Sequence, residues 1–340
     1  MSAAGVTYKW PMQAFTTDAL ASLAEEEGLL FGRDVLAQIV AALDAGKHVM
    51  LTGAPGTGKT SLAYLAAELA RRSLLGAGYL AVTASNDWGI AHTIGRYADT
   101  PDGQVFQPGF FLQALDTGEW LVIDEFNRAD FDRAFGPLFT VMADKAVTLP
   151  FKRVGHTFPI SIVPTDIEAP ADTEPVRIPQ SWRMISTMNE FDKQTLFRLS
   201  YALMRRFAFI EVESPSEEGF RSLLAGPGEM VADLLGIRKF IDLGPAVFID
   251  AARYAARRSA DPDVTRSRVL FETFYAYLLP QLDRLGDLGD EMLEEMSAVF
   301  DPAELVALRR VVRNLLSGHT ATGDVGGYAA PPVSRVRRLA

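Results

Sequence analysis

The chain predicts a parallel, doubly wound α/β domain followed by an all-helical domain. Three observations carry that fold class. Short apolar runs alternate with helical patterns up to about Glu213; a glycine-rich loop joins one such run to a helix; and from Ser216 onward only helical periodicity persists. The 340 residues suffice for one large or two smaller domains.

In chain order, Met1 to Leu30 reads as a leader with an amphipathic helix near Thr17 to Glu27, and Gly32 to Leu43 reads as a helix. The α/β core is expected over residues 31–214. Its strands are His48 to Thr52, Tyr79 to Thr83, Trp120 to Ile123, Arg183 to Thr187 and Phe207 to Glu213. Prolines and short β-type runs, Val147-Thr148-Leu149 and Pro159 to Val163, break the rhythm over 146–179 and predict a projecting hairpin and loop. Residues 215–316 predict a helical lid with helices at Glu217 to Leu224, Ala246 to Arg258, Val269 to Leu279, Leu293 to Val299 and Pro302 to Leu316. Residues 317–340 read as a flexible arm, and its basic stretch Ser334 to Arg338 as a solvated terminus, with a docking or nucleic-acid contact as the alternative.

The loop is Gly53-Ala54-Pro55-Gly56-Thr57-Gly58-Lys59-Thr60, spaced G-x-x-x-x-G-K-T, with helix Ser61 to Arg72 behind it. Its glycines let backbone N–H groups turn toward phosphate oxygens, and the helix N-terminus adds a positive dipole end. Lys59 reaches the β- and γ-phosphates, and the Thr60 hydroxyl is a magnesium ligand. The binding set is therefore Gly53 to Ser61.

Leu121-Val122-Ile123-Asp124-Glu125 is a buried strand ending in two carboxylates, at the strand end where ligands bind in open α/β sheets. Asp124 is assigned to Mg²⁺ and Glu125 to polarising the attacking water. Asn189 ends the strand Ile185 to Met188, where its amide is within reach of a γ-phosphate or that water; a turn-forming asparagine is the plainer alternative. Arg205 and Arg206 lie where a helix meets the last strand. They are either phosphoryl-charge stabilisers delivered from a neighbouring subunit or cations at a helix C-terminus. Asn127 and Arg128 follow the acid pair and either orient Glu125, sense the neighbouring subunit, or simply cap a helix.

Composition excludes other classes. With no cysteine there are no disulfides or thiolate metal sites, and His48, His92, His156 and His319 show no ligand spacing. A formal charge of −10 argues against a broadly basic DNA-binding surface, leaving DNA contact to a partner or an assembled pore. No apolar stretch is long enough to span a bilayer and no secretory signal is evident, so the expected location is cytoplasmic.

The ordered set resembles the AAA+ superfamily, within it the branch of MoxR and McrB, and most closely McrB-type motor domains. Gly53 to Thr60 is similar to Walker A, Asp124-Glu125 to Walker B and Asn189 to sensor 1, and Asn127-Arg128-Ala129 matches the branch's sequence after the acid pair. Asn86-Asp87-Trp88, Gly109 to Leu112, Met188-Asn189 with Asp192-Lys193, and Tyr201 to Phe207 are similar to the McrB wording. The resemblance implies a P-loop NTPase (AAA+) core with a helical lid, an ATP or GTP substrate with Mg²⁺, assembly into a hexameric ring, and Arg206 with Arg205 as a finger acting in trans. It also implies that Leu30-Phe31-Gly32 lines the base pocket. The implied output is a motor driving a partner such as a McrC-like nuclease. A MoxR-like chaperone working with a von Willebrand A domain protein, and a non-hydrolysing nucleotide-gated scaffold, are the alternatives. Two departures stand out. Gly244-Pro245-Ala246 has alanine where a sensor 2 arginine is usual, so that arginine is missing or comes from elsewhere, such as Arg253. Only about thirty residues precede the core, too few for the DNA-recognition domain of McrB restriction subunits.

Overall fold

The computed structural model describes residues 15–101, 103–136, 138–142, 145–189, 204–226, 228–282 and 289–318. Asp192-Lys193, Tyr201 to Leu203 and nearly all of the expected C-terminal arm lie outside them.

Among the described residues ten strands follow one another: β1 (His48–Gly53), β2 (Tyr79–Thr83), β3 (Gly95–Thr100), β4 (Gly103–Pro108), β5 (Trp120–Asp124), β6 (Val147–Thr148), β7 (Ile160–Pro164), β8 (Glu174–Ile178), β9 (Met184–Asn189) and β10 (Phe207–Glu211). Five of them form one sheet in the order β10-β1-β9-β5-β2, with every neighbouring pair parallel. β1, β5 and β9 are buried along almost their whole length, as expected for a parallel sheet covered on both faces. Register is what positions the site. Gly53 pairs with Asn189 and Thr83 with Asp124, so the phosphate loop, the acid pair and the terminal amide share one edge of the sheet.

Helices α1 (Thr17–Glu26), α2 (Arg33–Asp44) and α3 (Lys59–Arg72) cover the sheet. α1 is a packed element of this domain: Phe15, Leu20, Leu23 and Ala24 join the same buried cluster as Val49, Leu62 and Trp120. Thr16 caps it through a side-chain bond from the Ala19 N–H. α2 ends at Gly46, whose φ of +79° turns the chain back, with the Lys47 N–H bonded to the Ala42 carbonyl at 3.0 Å.

Two β-structures depart from the sequence reading. The hairpin β3–β4 was not expected, because Arg96-Tyr97-Ala98-Asp99 carries too little apolar alternation; its one trace in the sequence is the Pro-Asp-Gly stretch at 101–103. The 146–179 excursion is a three-stranded sheet, with β6 and β7 antiparallel and β8 adding in parallel to β7. The two structures meet through aromatic rings: Phe151 stacks on Phe106 with centroids 4.9 Å apart and meets Tyr97 edge-on. Arg153 fastens the excursion to the helix Phe110–Thr117, reaching both Asp116 oxygens at 2.6 and 2.9 Å and Glu174 at 3.1 Å.

The chain divides into two compact units: residues 1–225 with 242–249, and residues 226–241 with 250–340. The helix Glu217–Leu223 belongs to the first. The second holds a 3₁₀ run Glu229–Lys239, the helix Arg266–Thr273 continued by a π-turn Phe274–Leu278, and the helices Gly289–Glu295 and Pro302–Gly318. Its core includes Leu234, Leu270, Phe274, Met292 and Leu308, and among the described residues it contains no strand. Glu272 ties it together by accepting from Arg258 and Arg268 at 2.8 Å each. No helix among the described residues is long and apolar enough to cross a membrane.

Candidate active site

The phosphate loop leaves β1 at Gly53. There φ is +143° and a Cβ would lie 2.5 Å from the Val212 carbonyl oxygen, so only glycine fits. Gly56 and Gly58 also have positive φ, which lets the backbone wrap toward the start of α3. Lys59 is buried over this loop and donates to the Gly53 and Ala54 carbonyls at 3.0 and 2.7 Å; Thr57 donates to the Ala54 carbonyl. Phe31, from the segment before α2, lies against Gly58: a Cβ there would meet its ring at 3.1 Å. Gly32 is the N-cap of α2.

The loop is also held from outside its own strand and helix. The Gly244 N–H donates to the Pro55 carbonyl at 3.0 Å and the Ala246 N–H to the Gly56 carbonyl at 3.2 Å. A Cβ on Gly244 would sit 2.1 Å from the Gly56 carbonyl carbon. The segment Gly244-Pro245-Ala246 therefore touches the loop through its backbone. Arg253 pairs with Asp250 at 3.0 Å and is mostly exposed.

Asp124 is the hub of the acid pair. Its Oδ1 accepts from the hydroxyls of Thr60 at 2.7 Å and Thr187 at 2.5 Å. Thr187 in turn accepts the Glu125 N–H at 3.1 Å, so one hydroxyl fixes both acids relative to β9. Sequence reasoning missed Thr187; its only signal was a polar Ser186-Thr187 pair inside an otherwise apolar strand. Tyr64 was also missed. Burial and the nearby Asp124 carboxylate raise its hydroxyl above the ordinary tyrosine range, so it stays protonated.

Glu125 adopts a left-handed backbone, φ +54° and ψ +41°, rare for a residue with a side chain and costly unless its surroundings enforce it. The turn carries its carboxylate to Asn189, whose Nδ2 donates to both oxygens at 3.3 Å. Arg128 Nε lies 3.3 Å from Glu125 Oε2. Asn127 and Arg128 sit in the one-turn 3₁₀ segment Phe126–Arg128 directly after Glu125.

Thr60 and Asp124 fit a magnesium ion: both offer hard oxygen donors, and their side chains already touch. No group of three histidine, cysteine, aspartate or glutamate side chains among the described residues is arranged to hold a metal by itself. A cation here would therefore take its remaining ligands from phosphate oxygens and water, the usual arrangement for Mg²⁺ on nucleotides.

Arg205 and Arg206 are not brought to this edge. His48, at the start of β1, pairs with Phe207, and the His48 N–H bonds the Arg206 carbonyl at 3.0 Å. The arginines thus directly precede β10 at the opposite end of β1 from Gly53, about 16 Å away at the usual rise of about 3.3 Å per residue. A cleft of about 340 Å³ opens there, lined in part by Lys47, His48, Asp166, Arg183 and Arg206. Burial, and then the charges of Arg183, Arg206 and Lys47, hold His48 neutral by lowering its pKa to about 3. A second cavity of about 520 Å³ lies by Trp88, Arg96 and Phe110 near β2, three strands across the sheet from β1.

Residues 48–207 match the family model described as AAA domain (dynein-related subfamily). The match starts at the first residue of β1 and ends at the first of β10, enclosing the loop, the acid pair, Asn189 and both arginines. Over the matched residues the chain is an α/β domain with a parallel five-stranded sheet and a phosphate loop at the end of β1. No curated protein matches the sequence. Among solved structures, NtrX from Brucella abortus in complex with ATP is 16% identical at a TM-score of 0.42, over 92% of this chain and 69% of that one.

Proposed function

We propose that this AAA-domain chain hydrolyses a purine nucleoside triphosphate, ATP or GTP, in a ring of identical copies whose sites are completed by a neighbour. The carrying observation is the paired geometry around Asp124 and Glu125. One acid contacts the Thr60 hydroxyl beside the phosphate loop, while the other is turned away from it toward the Asn189 amide.

On this reading the Gly53–Ser61 loop and Lys59 bind the triphosphate, and Phe31 and Gly32 border the base. Magnesium, when bound at Thr60 and Asp124, supplies charge for the β- and γ-phosphate oxygens. Glu125 accepts a proton from the attacking water. Asn189 and Arg128 hold the Glu125 carboxylate for that task, and Asn127 supports the turn that carries them. Arg206, too far from its own loop to serve it, stabilises developing charge on the nucleotide of the adjacent copy, with Arg205 beside it.

The output we assign is McrB-like: a motor that drives a partner of the McrC nuclease kind, with any DNA contact made through that partner or the assembled pore. The McrB-like wording of residues 86–88, 109–112 and 188–207 supports this branch. A MoxR-like remodelling role would instead pair the chain with a von Willebrand A domain protein.

Phosphate release from ATP and from GTP, with particle size measured in each nucleotide state, tests the proposal. Glu125→Gln is expected to bind nucleotide and assemble without turnover. Arg206→Ala is expected to bind nucleotide and lose about 10³-fold or more in rate. Normal hydrolysis by either variant overturns the role given to that residue. A wild-type chain that assembles with nucleotide but does not hydrolyse it leaves a nucleotide-gated scaffold, and one that neither hydrolyses nor self-associates overturns the whole reading.

A further inference from the structure

The turn between α2 and β1 makes a contact that the functional assignment does not use. Gly46, with φ of +79°, ends α2, and the next residue, Lys47, extends its ammonium to the Arg205 carbonyl at 2.8 Å. One residue further, the His48 N–H takes the Arg206 carbonyl at 3.0 Å. Two consecutive peptide carbonyls at the start of β10 are therefore pinned to the two residues that open β1. The turn itself is anchored by Arg183, almost wholly buried, which donates to the Leu43 carbonyl at 3.1 Å and to the Gln180 and Trp182 carbonyls at 2.8 Å.

An exposed lysine bonded to a backbone carbonyl is ordinarily of little consequence. Here the carbonyl belongs to Arg205, the residue immediately before Arg206. Residues 190–203 lie outside the described ones, and among the described residues Lys47 and His48 bond the backbone of this stretch ahead of the β10 ladder. A charged donor on a peptide oxygen is one of the stronger single hydrogen bonds available.

We infer that Lys47 is a positioning residue for the trans arginine, fixing the peptide from which Arg206 reaches the nucleotide of the adjacent copy. This rests on the shared-site reading above. Arginine fingers act through placement, and misplacement by about 1 Å costs roughly 10²-fold in rate. β1 also becomes a direct covalent link: five residues after His48 it enters the copy's own phosphate loop at Gly53.

The test uses full-length chains mixed in equal amounts, read by steady-state phosphate release. A Lys59→Ala chain has a silent loop and an intact finger. An Arg206→Ala chain has an intact loop and no finger. Their mixture must recover activity that neither has alone; if it does not, the shared-site reading fails, independently of Lys47. Lys47→Met removes the donor while keeping the stem. It is expected to lower turnover about ten- to a hundredfold with nucleotide binding unchanged, and Lys47→Arg to retain most of it. Mixed with Lys59→Ala, Lys47→Met should regain activity, because the intact finger comes from the other chain. Mixed with Arg206→Ala it should not, because the only finger present is the misplaced one. The reverse pattern makes Lys47 a residue of its own site and overturns the inference, as does full turnover by Lys47→Met alone.

Discussion

Thr187 donates to Asp124 and accepts from the Glu125 backbone, so a single hydroxyl ties together the two acids proposed to hold the metal and to activate water. Thr187→Val keeps the shape and deletes both bonds. It leaves a half-buried N–H without its acceptor, and we expect turnover to fall about ten- to a hundredfold with a rise in the magnesium concentration needed for half-maximal rate. A magnesium titration of phosphate release checks this; an unchanged titration would mean the hydroxyl is only packing. His48 makes a different residue-scale prediction. Its folded pKa is held near 3 against an ordinary 6.5, while its Nδ1 accepts the Met184 N–H at 3.1 Å. In the unfolded chain it protonates near 6.5, so the unfolded state binds the extra proton below that pH. Its stabilising effect is whole above about pH 6.5 and is lost as pH falls toward 3. Denaturant melts of wild type should weaken between pH 6.5 and 5, and His48→Asn, which keeps an acceptor and cannot titrate, should flatten that slope. An equal slope in both would remove His48 as its cause.

Among the elements, the segment Gly244-Pro245-Ala246 closes on the phosphate loop through backbone alone. A methyl at 244 would meet the Gly56 backbone at 2.1 Å, a clash no rotamer relieves. Gly244→Ala is therefore expected to displace the loop, lower the melting temperature by several degrees and weaken nucleotide binding together. Thermal melts with and without nucleotide read both effects, and a wild-type melt with wild-type nucleotide shift would show the segment free to move. The same segment shows how far sequence reading reached. Its glycine and proline were visible, and so was the absence of an arginine, but a backbone-to-backbone contact leaves no side-chain signature. The five sheet strands were legible because each is an apolar run bounded by polar turns, and β1, β2 and β5 fall within about a residue of their expected ends. β10 stops at Glu211 rather than Glu213, and β9 starts at Met184 because Arg183 turns back to cap α2. The hairpin β3–β4 was illegible because its stability comes from Phe106 and Tyr97 meeting Phe151 about fifty residues later, a tertiary contact that alternation along the strand does not report. The residues of the site fare similarly. Lys59, Thr60, Asp124, Glu125 and Asn189 sit in motifs and converge on one sheet edge, whereas the contacts of Thr187 and Lys47 depend on strand register and a turn.

At the scale of the whole molecule, one strand sets the argument. β1 begins beside Arg206 and ends at the phosphate loop, so a copy offers its nucleotide site at one end of the sheet and its arginines at the other. On the proposed reading such a molecule is incomplete alone and completes its site by joining other copies through unlike faces. Rings close that kind of head-to-tail interface. Each chain carries a formal net charge of −10, so the cleft with Lys47, Arg183 and Arg206 is a local concentration of cations and not a generally basic surface. The most direct measurement is phosphate release from an equimolar mixture of Lys59→Ala and Arg206→Ala chains, each shown to be folded. Activity well above the sum of the two alone is the predicted result, because sites from one chain are then completed by arginines from the other. A mixture as inactive as its parts would contradict a site shared between copies.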